Sequence, residues 1–72
     1  MTKQYKIEKI IDMKLDSVQR IGTINECMLQ LNEIYNLSKR GGFEVKIKTD
    51  MYLELNCIAN DKKHIYIISE NG

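Results

Sequence analysis

The residues best suited to chemistry lie in the segment SKRGGFEVKIKTD, from Ser38 to Asp50. Two adjacent cations precede a Gly-Gly pair, and lysines then occupy alternate positions, a composition that also occurs in phosphate-binding loops. Such a loop joins a strand to the start of a helix, where backbone N–H groups converge. Here the periodicity predicts the reverse order, because the helix comes first. Lys39 and Arg40 suit the negative end of the helix dipole. Either residue of the Gly41-Gly42 pair can take the left-handed backbone conformation that ends a helix.

The basic residues of this region also suggest nucleic-acid binding. The candidates are Lys39, Arg40, Lys46 and Lys48. Lys46 and Lys48 are predicted to share a sheet face with two tyrosines, which would suit single-stranded nucleic acid. Glu44 and Glu54 are predicted on the same face, and a formal net charge of +1 provides no overall attraction to nucleic acid. Nucleic-acid binding is therefore the second hypothesis.

Cys27, Cys57 and His64 belong to the residue types that bind metals or act as nucleophiles. Their spacing contains no C-x-x-C or H-x-x-x-H pattern, and three ligands without a fourth do not make a structural zinc site. Both cysteines fall on predicted apolar faces, where a thiol packs as a small hydrophobic group. Acidic residues are scattered singly, so no acid–base pair or triad stands out. We expect no catalytic residue, metal or cofactor, and predict that the chain is not an enzyme.

Length and composition indicate one small domain over residues 1–72. Of its 72 residues, 43% are hydrophobic and 29% are charged, which favours a folded core. A lone core of this size supplies only about 3–5 kcal/mol, so a partner chain is a standard source of stability. We expect no membrane segment and no signal peptide, because no apolar run is long enough and the start, MTKQYKIEKI, is charged. Two cysteines are too few for a disulfide framework, which predicts a cytoplasmic location.

The clearest predicted element is a helix that follows Thr23. The letters TINE place Thr23 at the N-cap and Glu26 three positions later, which is a capping box. Apolar and small residues then recur at intervals of three and four: Ile24, Cys27, Met28, Leu31, Ile34, Tyr35 and Ser38. This spacing forms one face of a helix, which we predict from Ile24 to about Lys39.

Three strands are predicted after the glycine pair, because the apolar period changes to two. They are Phe43–Lys48, Tyr52–Ala59 and His64–Ser69. A three-residue turn at 49–51 would place Phe43 opposite Cys57 and Ile47 opposite Leu53. A loop at 60–62 would place Cys57 opposite Ile65.

This register predicts a second apolar surface on the sheet face away from the helix. Its residues are Tyr52, Ile58, Tyr66 and Ile68. A solvated sheet face rarely carries so much apolar area. We favour coverage by a second copy of the chain, since oligomerisation stabilises small domains. The alternative is coverage by the N-terminal arm of the same chain.

The N-terminal arm, residues 1–22, fits two structures. Its apolar residues from Tyr5 to Leu15 alternate as in a strand, with one break at Lys9, but those from Ile7 to Val18 also fit a helix. We favour extended structure for residues 5–15. Asp16-Ser17 would then begin a short turn before Gly22.

A helix capped at Thr23, the Gly41-Gly42 break and three following strands cover most of the chain. Together with its length and its Lys-, Ile- and Asn-rich composition, this layout resembles the small uncharacterised YopT-type proteins of Bacillus prophages. The resemblance implies one helix and three strands per chain, a homodimer, and a phage-derived cytoplasmic protein of unknown biochemical function. It transfers no catalytic or binding residue.

The predicted fold is α+β, with one amphipathic helix packed on a small antiparallel sheet of about three strands, in a dimer. The predicted function is a non-catalytic protein–protein interaction module. Its expected partner is a second copy of the chain, and the alternative partner is a host or phage protein. The second hypothesis, a small nucleic-acid-binding regulator, would use the four basic residues named above.

Overall fold

The computed structural model describes residues 3–72 and shows one helix packed on a five-stranded antiparallel sheet. The elements in chain order are β1 (Tyr5–Ile11), β2 (Lys14–Gly22), α1 (Ile24–Arg40), β3 (Phe43–Lys48), β4 (Tyr52–Cys57) and β5 (Lys63–Glu70). The strands lie in the order β2-β1-β5-β4-β3. The predicted α+β class is confirmed. The prediction of about three strands is wrong, because the N-terminal arm adds two strands to the sheet.

Helix α1 begins at the predicted capping box. The Thr23 hydroxyl accepts a hydrogen bond from the Glu26 backbone N–H at 3.1 Å, and the Glu26 carboxylate accepts one from the Thr23 N–H at 2.8 Å. The helix ends at the glycine pair, where the Gly41 N–H donates to the Ser38 carbonyl and Gly42 takes a left-handed φ of 83°. The glycines therefore terminate a helix, as predicted, and do not form a loop in front of one.

One side of the sheet, called here the helix side, packs against α1 and forms the core. The predicted stripe of α1 faces it, and the buried hydrophobic residues are Ile7, Cys27, Leu31, Leu53, Leu55, Tyr66 and Ile68. Each fully buried aliphatic side chain stabilises the fold by about 1.5–3 kcal/mol. Residues 3–72 form only this one core layer, so a single chain has little stability to spare.

The N-terminal arm forms a hairpin. Its turn residues, Asp12 and Met13, both take left-handed conformations, with φ of 54° and 67°. Such a turn matches the twist of two antiparallel strands. The Asp12 N–H donates to the Lys63 carbonyl at 3.0 Å, which fastens the turn to the next strand of the sheet. Extended structure is therefore confirmed on both sides of the turn. The predicted turn at Asp16-Ser17 is wrong, because both residues lie within β2.

Strand β2 contains two bulges, at Asp16 and Gln19. Its pairing with β1 shifts twice, and each shift leaves one residue of β2 without a partner. A bulge inserts one residue into the two-residue alternation of a strand. Leu15, Val18 and Ile21 consequently lie on one side of the sheet although they are three residues apart.

In the β3–β4 hairpin, residues 49–51 lie between the strands and Phe43 pairs with Cys57, both as predicted. The pairing next to the turn differs from the prediction, because Lys48 pairs with Leu53 and the Thr49 N–H donates to the Tyr52 carbonyl at 2.8 Å. A bulge at Lys46 then changes the register by one residue. Ile47 turns away from the helix, and Lys48 turns towards it. The predicted partner of Ile47 is therefore wrong, and the cause is this single extra residue.

The β4–β5 loop is shifted relative to the prediction. Cys57 closes it by donating its N–H to the Lys62 carbonyl at 2.9 Å, and Asp61 within it has a left-handed φ of 58°. Leu55 consequently pairs with His64, not with Ile67. An odd-numbered shift of register turns every side chain of a strand to the other side of the sheet. The predicted sides of all β5 residues are therefore wrong.

Candidate interaction surface

The side of the sheet that faces away from α1, called here the outer face, is apolar on every strand. Cross-strand partners point to the same side of a sheet, so the register assigns each side chain to a side. The apolar residues of the outer face are Leu15, Val18 and Ile21 of β2, Ile10 of β1, Ile65 and Ile67 of β5, Tyr52 of β4 and Ile47 of β3.

Several of these side chains are strongly exposed. Leu15 is 60% exposed, Ile21 54%, Val18 48% and Ile47 45%. The helix packs on the opposite side, and no other helix or strand exists within residues 3–72 to cover them. Monomeric soluble proteins rarely expose contiguous apolar patches larger than a few hundred Å². The outer face is therefore the strongest candidate for an interaction surface.

The centre of the outer face combines apolar contacts with satisfied polar groups. The central strand, β5, places Ile67 between Glu8 and Tyr52, and Ile65 between Ile10 and Glu54. Isoleucines thus alternate with two carboxylates across the three middle strands. The core of a protein interface is usually depleted in charged residues, so in any contact through this centre the two carboxylates would have to keep their polar partners within the chain.

The charges of the outer face balance. The Lys6 ammonium lies 3.9 Å from the Glu8 carboxylate, and the Lys63 ammonium lies 3.9 Å from the Glu54 carboxylate. Tyr52 donates a hydrogen bond to the Glu54 carboxylate at 2.8 Å, and this bond raises the pKa of the Tyr52 hydroxyl. Two cations and two anions leave no net charge among these residues, and each carboxylate has a polar partner within the same chain.

The four residues predicted to form the partner surface do not lie together. Tyr66 and Ile68 are only 8% and 4% exposed and belong to the core, because the shifted β4–β5 register turns them towards α1. Ile58 is exposed but lies in the loop after β4, off the sheet. Tyr52 alone is on the outer face. A second apolar face does exist, but all of its members except Tyr52 differ from the predicted ones.

The predicted basic surface is divided by the bulge in β3. Lys46 stays on the outer side, where its ammonium lies 2.9 Å from the Glu44 carboxylate. Lys48 turns to the helix side and donates to the Thr49 carbonyl at 2.7 Å. The prediction that both lysines share a face with Tyr66 is therefore wrong.

Two of the predicted basic residues instead meet at Tyr35 of α1. The ammonium groups of Lys39 and Lys48 lie 4.4 Å and 5.5 Å from the centroid of its ring, within the range of a cation–π interaction. Arg40 is exposed at the end of the helix. This role of Tyr35 is not among the predictions, although the spacing of four residues between Tyr35 and Lys39 on a helix indicates a contact.

Cys27, Cys57 and His64 are not brought together. Cys27 is buried in the first turns of α1, where burial raises the pKa of its thiol and keeps it protonated and unreactive. Cys57 lies opposite Phe43, beyond the other end of the helix. The His64 ring contacts the edge of the Phe43 ring, and burial lowers the pKa of His64. Within residues 3–72, no three His, Cys, Asp or Glu side chains form a group that could hold a metal ion. The absence of enzymatic activity stays a prediction.

Comparisons of the chain with protein-family models, with curated proteins and with solved structures found no match. The resemblance to YopT-type prophage proteins, together with the phage origin and cytoplasmic location that it implies, therefore stays a prediction. No helix in the part of the chain that the structure describes is long and apolar enough to cross a membrane. The outer face is accordingly the feature of the molecule that bears most directly on function.

Proposed function

We propose that this chain is a protein–protein interaction module that forms a homodimer through its outer face. The supporting observation is the apolar outer face, with Leu15, Val18, Ile21 and Ile47 each 45–60% exposed in the single chain. Removing apolar surface from water stabilises an assembly by roughly 25 cal/mol per Å² before the costs of association. A small domain with one core layer gains most from such burial.

The outer face is large enough for a dimer of this kind. Its five strands contain six to nine residues each. With strands about 4.8 Å apart and a rise of about 3.3 Å per residue, the footprint is about 600 Å² per chain. Two such faces together bury about 1,200 Å², which is the lower end of the range for specific interfaces.

The charge pattern favours a second copy as the occupant. A two-fold interface brings the same surface of both chains together, so an excess of either charge would repel itself. The outer face pairs Lys6 with Glu8 and Lys63 with Glu54, and these charges cancel. The resulting dimer is a four-layer sandwich, with the two sheets about 10 Å apart and the two helices on the outside.

Replacing Val18 with lysine tests the proposal. Val18 is exposed in the single chain, so Val18→Lys should leave the fold intact, but in the dimer it places an ammonium group in an apolar contact. We expect the substitution to weaken dimerisation by at least about tenfold, as measured by sedimentation equilibrium. The matched control is Ile58→Lys, since Ile58 is also exposed but lies in a loop off the sheet.

Three results would oppose the homodimer. They are a wild-type chain that sediments as a monomer at tens of micromolar, where dimers of useful affinity form; a Val18→Lys dimer as tight as the wild type; and equal weakening by Ile58→Lys. Far-ultraviolet circular dichroism on all three proteins confirms that each remains folded.

A further inference from the structure

A second surface, separate from the outer face, lies at the edge of the helix side. The first half of α1 and the β3–β4 turn border an open cleft of about 480 Å³. Its lining residues are Asn25, Met28, Leu29 and Asn32 of α1, with Lys48 and Asp50 on the facing wall. This volume lies within the range of about 300–1,000 Å³ that is typical of ligand pockets.

The helix wall of the cleft presents two carboxamides at a defined separation. Asn25 and Asn32 are exposed and lie on the same face of α1, seven residues apart. Seven residues of helix span about 10.5 Å. Three residues of extended peptide span about 10 Å. Because each carboxamide offers two donors and an acceptor, the pair can bind backbone groups at both ends of a short extended segment.

Apolar groups lie between the two carboxamides. Met28 packs against the core and forms the floor of the cleft. Leu29 is 68% exposed at its rim, so most of its side chain contacts no other part of the chain. An apolar side chain that enters the cleft would contact both residues and would remove exposed apolar surface from water.

The facing wall makes the cleft electrically neutral. It carries one ammonium group, on Lys48, and one carboxylate, on Asp50. Lys48 donates to the Thr49 carbonyl at 2.7 Å, and two of its three N–H donors remain for a ligand. With one charge of each sign, the wall provides no net attraction for a phosphate or another polyanion, which favours an uncharged ligand with its own donors and acceptors.

From this arrangement we infer that the cleft binds an extended, uncharged peptide segment of another protein, about four residues long, with one apolar side chain at an inner position. The two carboxamides hold the peptide backbone, while Met28 and Leu29 receive the apolar side chain. The cleft lies on the opposite side of the molecule from the proposed dimer interface, so a dimer would present two such sites.

The probe for this inference is the blocked tetrapeptide acetyl-Gly-Leu-Ala-Gly-amide, titrated into the ¹⁵N-labelled full chain and followed by NMR. We expect saturable shifts of the Asn25 and Asn32 side-chain amides at millimolar peptide. Asn32→Ala and Leu29→Ser should each weaken binding by about two- to tenfold. The matched controls are Asn36→Ala and Leu37→Ser on the same helix; both positions are exposed and outside the cleft, and both variants should bind as the wild type does.

The inference is overturned if shifts do not saturate by about 20 mM peptide, a concentration above which binding has little specificity. It is also overturned if the two control variants weaken binding as much as the cleft variants do. A third contrary result is equal affinity for acetyl-Gly-Ser-Ala-Gly-amide, which lacks the apolar side chain. Sedimentation of Asn32→Ala keeps this test separate from that of the dimer, because the variant should dimerise normally.

Discussion

A chain that folds as a dimer should unfold at a lower temperature when it is diluted. Its single core layer is expected to supply only about 3–5 kcal/mol, so burial of the outer face would contribute a large part of the stability. Association that stabilises the folded state makes the unfolding temperature depend on protein concentration. Dilution is therefore a perturbation that requires no substitution.

The size of the effect follows from the chain length. The entropy of unfolding is about 2.1 cal/mol/K per residue near 60 °C. For 72 residues this is about 150 cal/mol/K per chain, or about 300 cal/mol/K per dimer. A tenfold dilution lowers the free energy that stabilises the folded dimer relative to two unfolded chains by RT ln 10, about 1.5 kcal/mol at this temperature. The unfolding temperature should consequently fall by about 5 °C for each tenfold dilution.

Thermal unfolding followed by circular dichroism between about 1 and 100 µM measures this dependence. The control is Val18→Lys, whose unfolding temperature should vary much less because the substitution weakens association. A wild-type unfolding temperature that stays constant within about 1 °C over the hundredfold range would show that folding and dimerisation are not coupled.

Two further predictions concern single residues. Thr23→Ala should lower the free energy of unfolding by about 1 kcal/mol, because the Glu26 N–H loses its capping partner; urea denaturation measures this, and an unchanged midpoint would contradict it. Burial, and then the Lys9 ammonium, lower the pKa of His64 from its ordinary 6.5. As the pH falls, the unfolded chain therefore binds a proton at a higher pH than the folded chain does, and the free energy of unfolding should decrease below about pH 6.5. His64→Phe should reduce this dependence in urea titrations from pH 7.5 to 5.5, and an identical slope would count against it.

The sequence predicts helix α1 well because its signals are local. The capping box at Thr23 acts over three residues, and the glycine pair ends the helix within its own last turn. The spacing of the apolar residues also identifies the buried side of the helix, since one side of an amphipathic helix must face the sheet. The position of the turn between β3 and β4 is also predicted, but the alternation on its two sides does not reveal the bulge at Lys46, which changes the pairing next to the turn.

The outer face is harder to predict because bulges interrupt its pattern. Leu15, Val18 and Ile21 recur every three residues, which resembles a helix, yet they lie on one side of a strand because Asp16 and Gln19 are bulged. The Asp12-Met13 turn contains no glycine to mark it, and tertiary hydrogen bonding at the Asp12 N–H helps to hold it. In β5 the register depends on how the preceding loop closes, which the alternation of the strand itself does not specify. The sequence prediction therefore places Tyr66 and Ile68 on the wrong side of the sheet.

The irregular edges of the sheet oppose assembly from strand edge to strand edge. The two edge strands are β2 and β3, and both are bulged, β2 at Asp16 and Gln19 and β3 at Lys46. A regular edge would let a further chain add its own strand, and then another, until a fibre forms. Bulges interrupt the ladder of backbone groups that such growth requires. A two-fold contact through the outer face would use the apolar surface once and close on itself, so the expected product is a finite particle of two chains that does not elongate at high concentration.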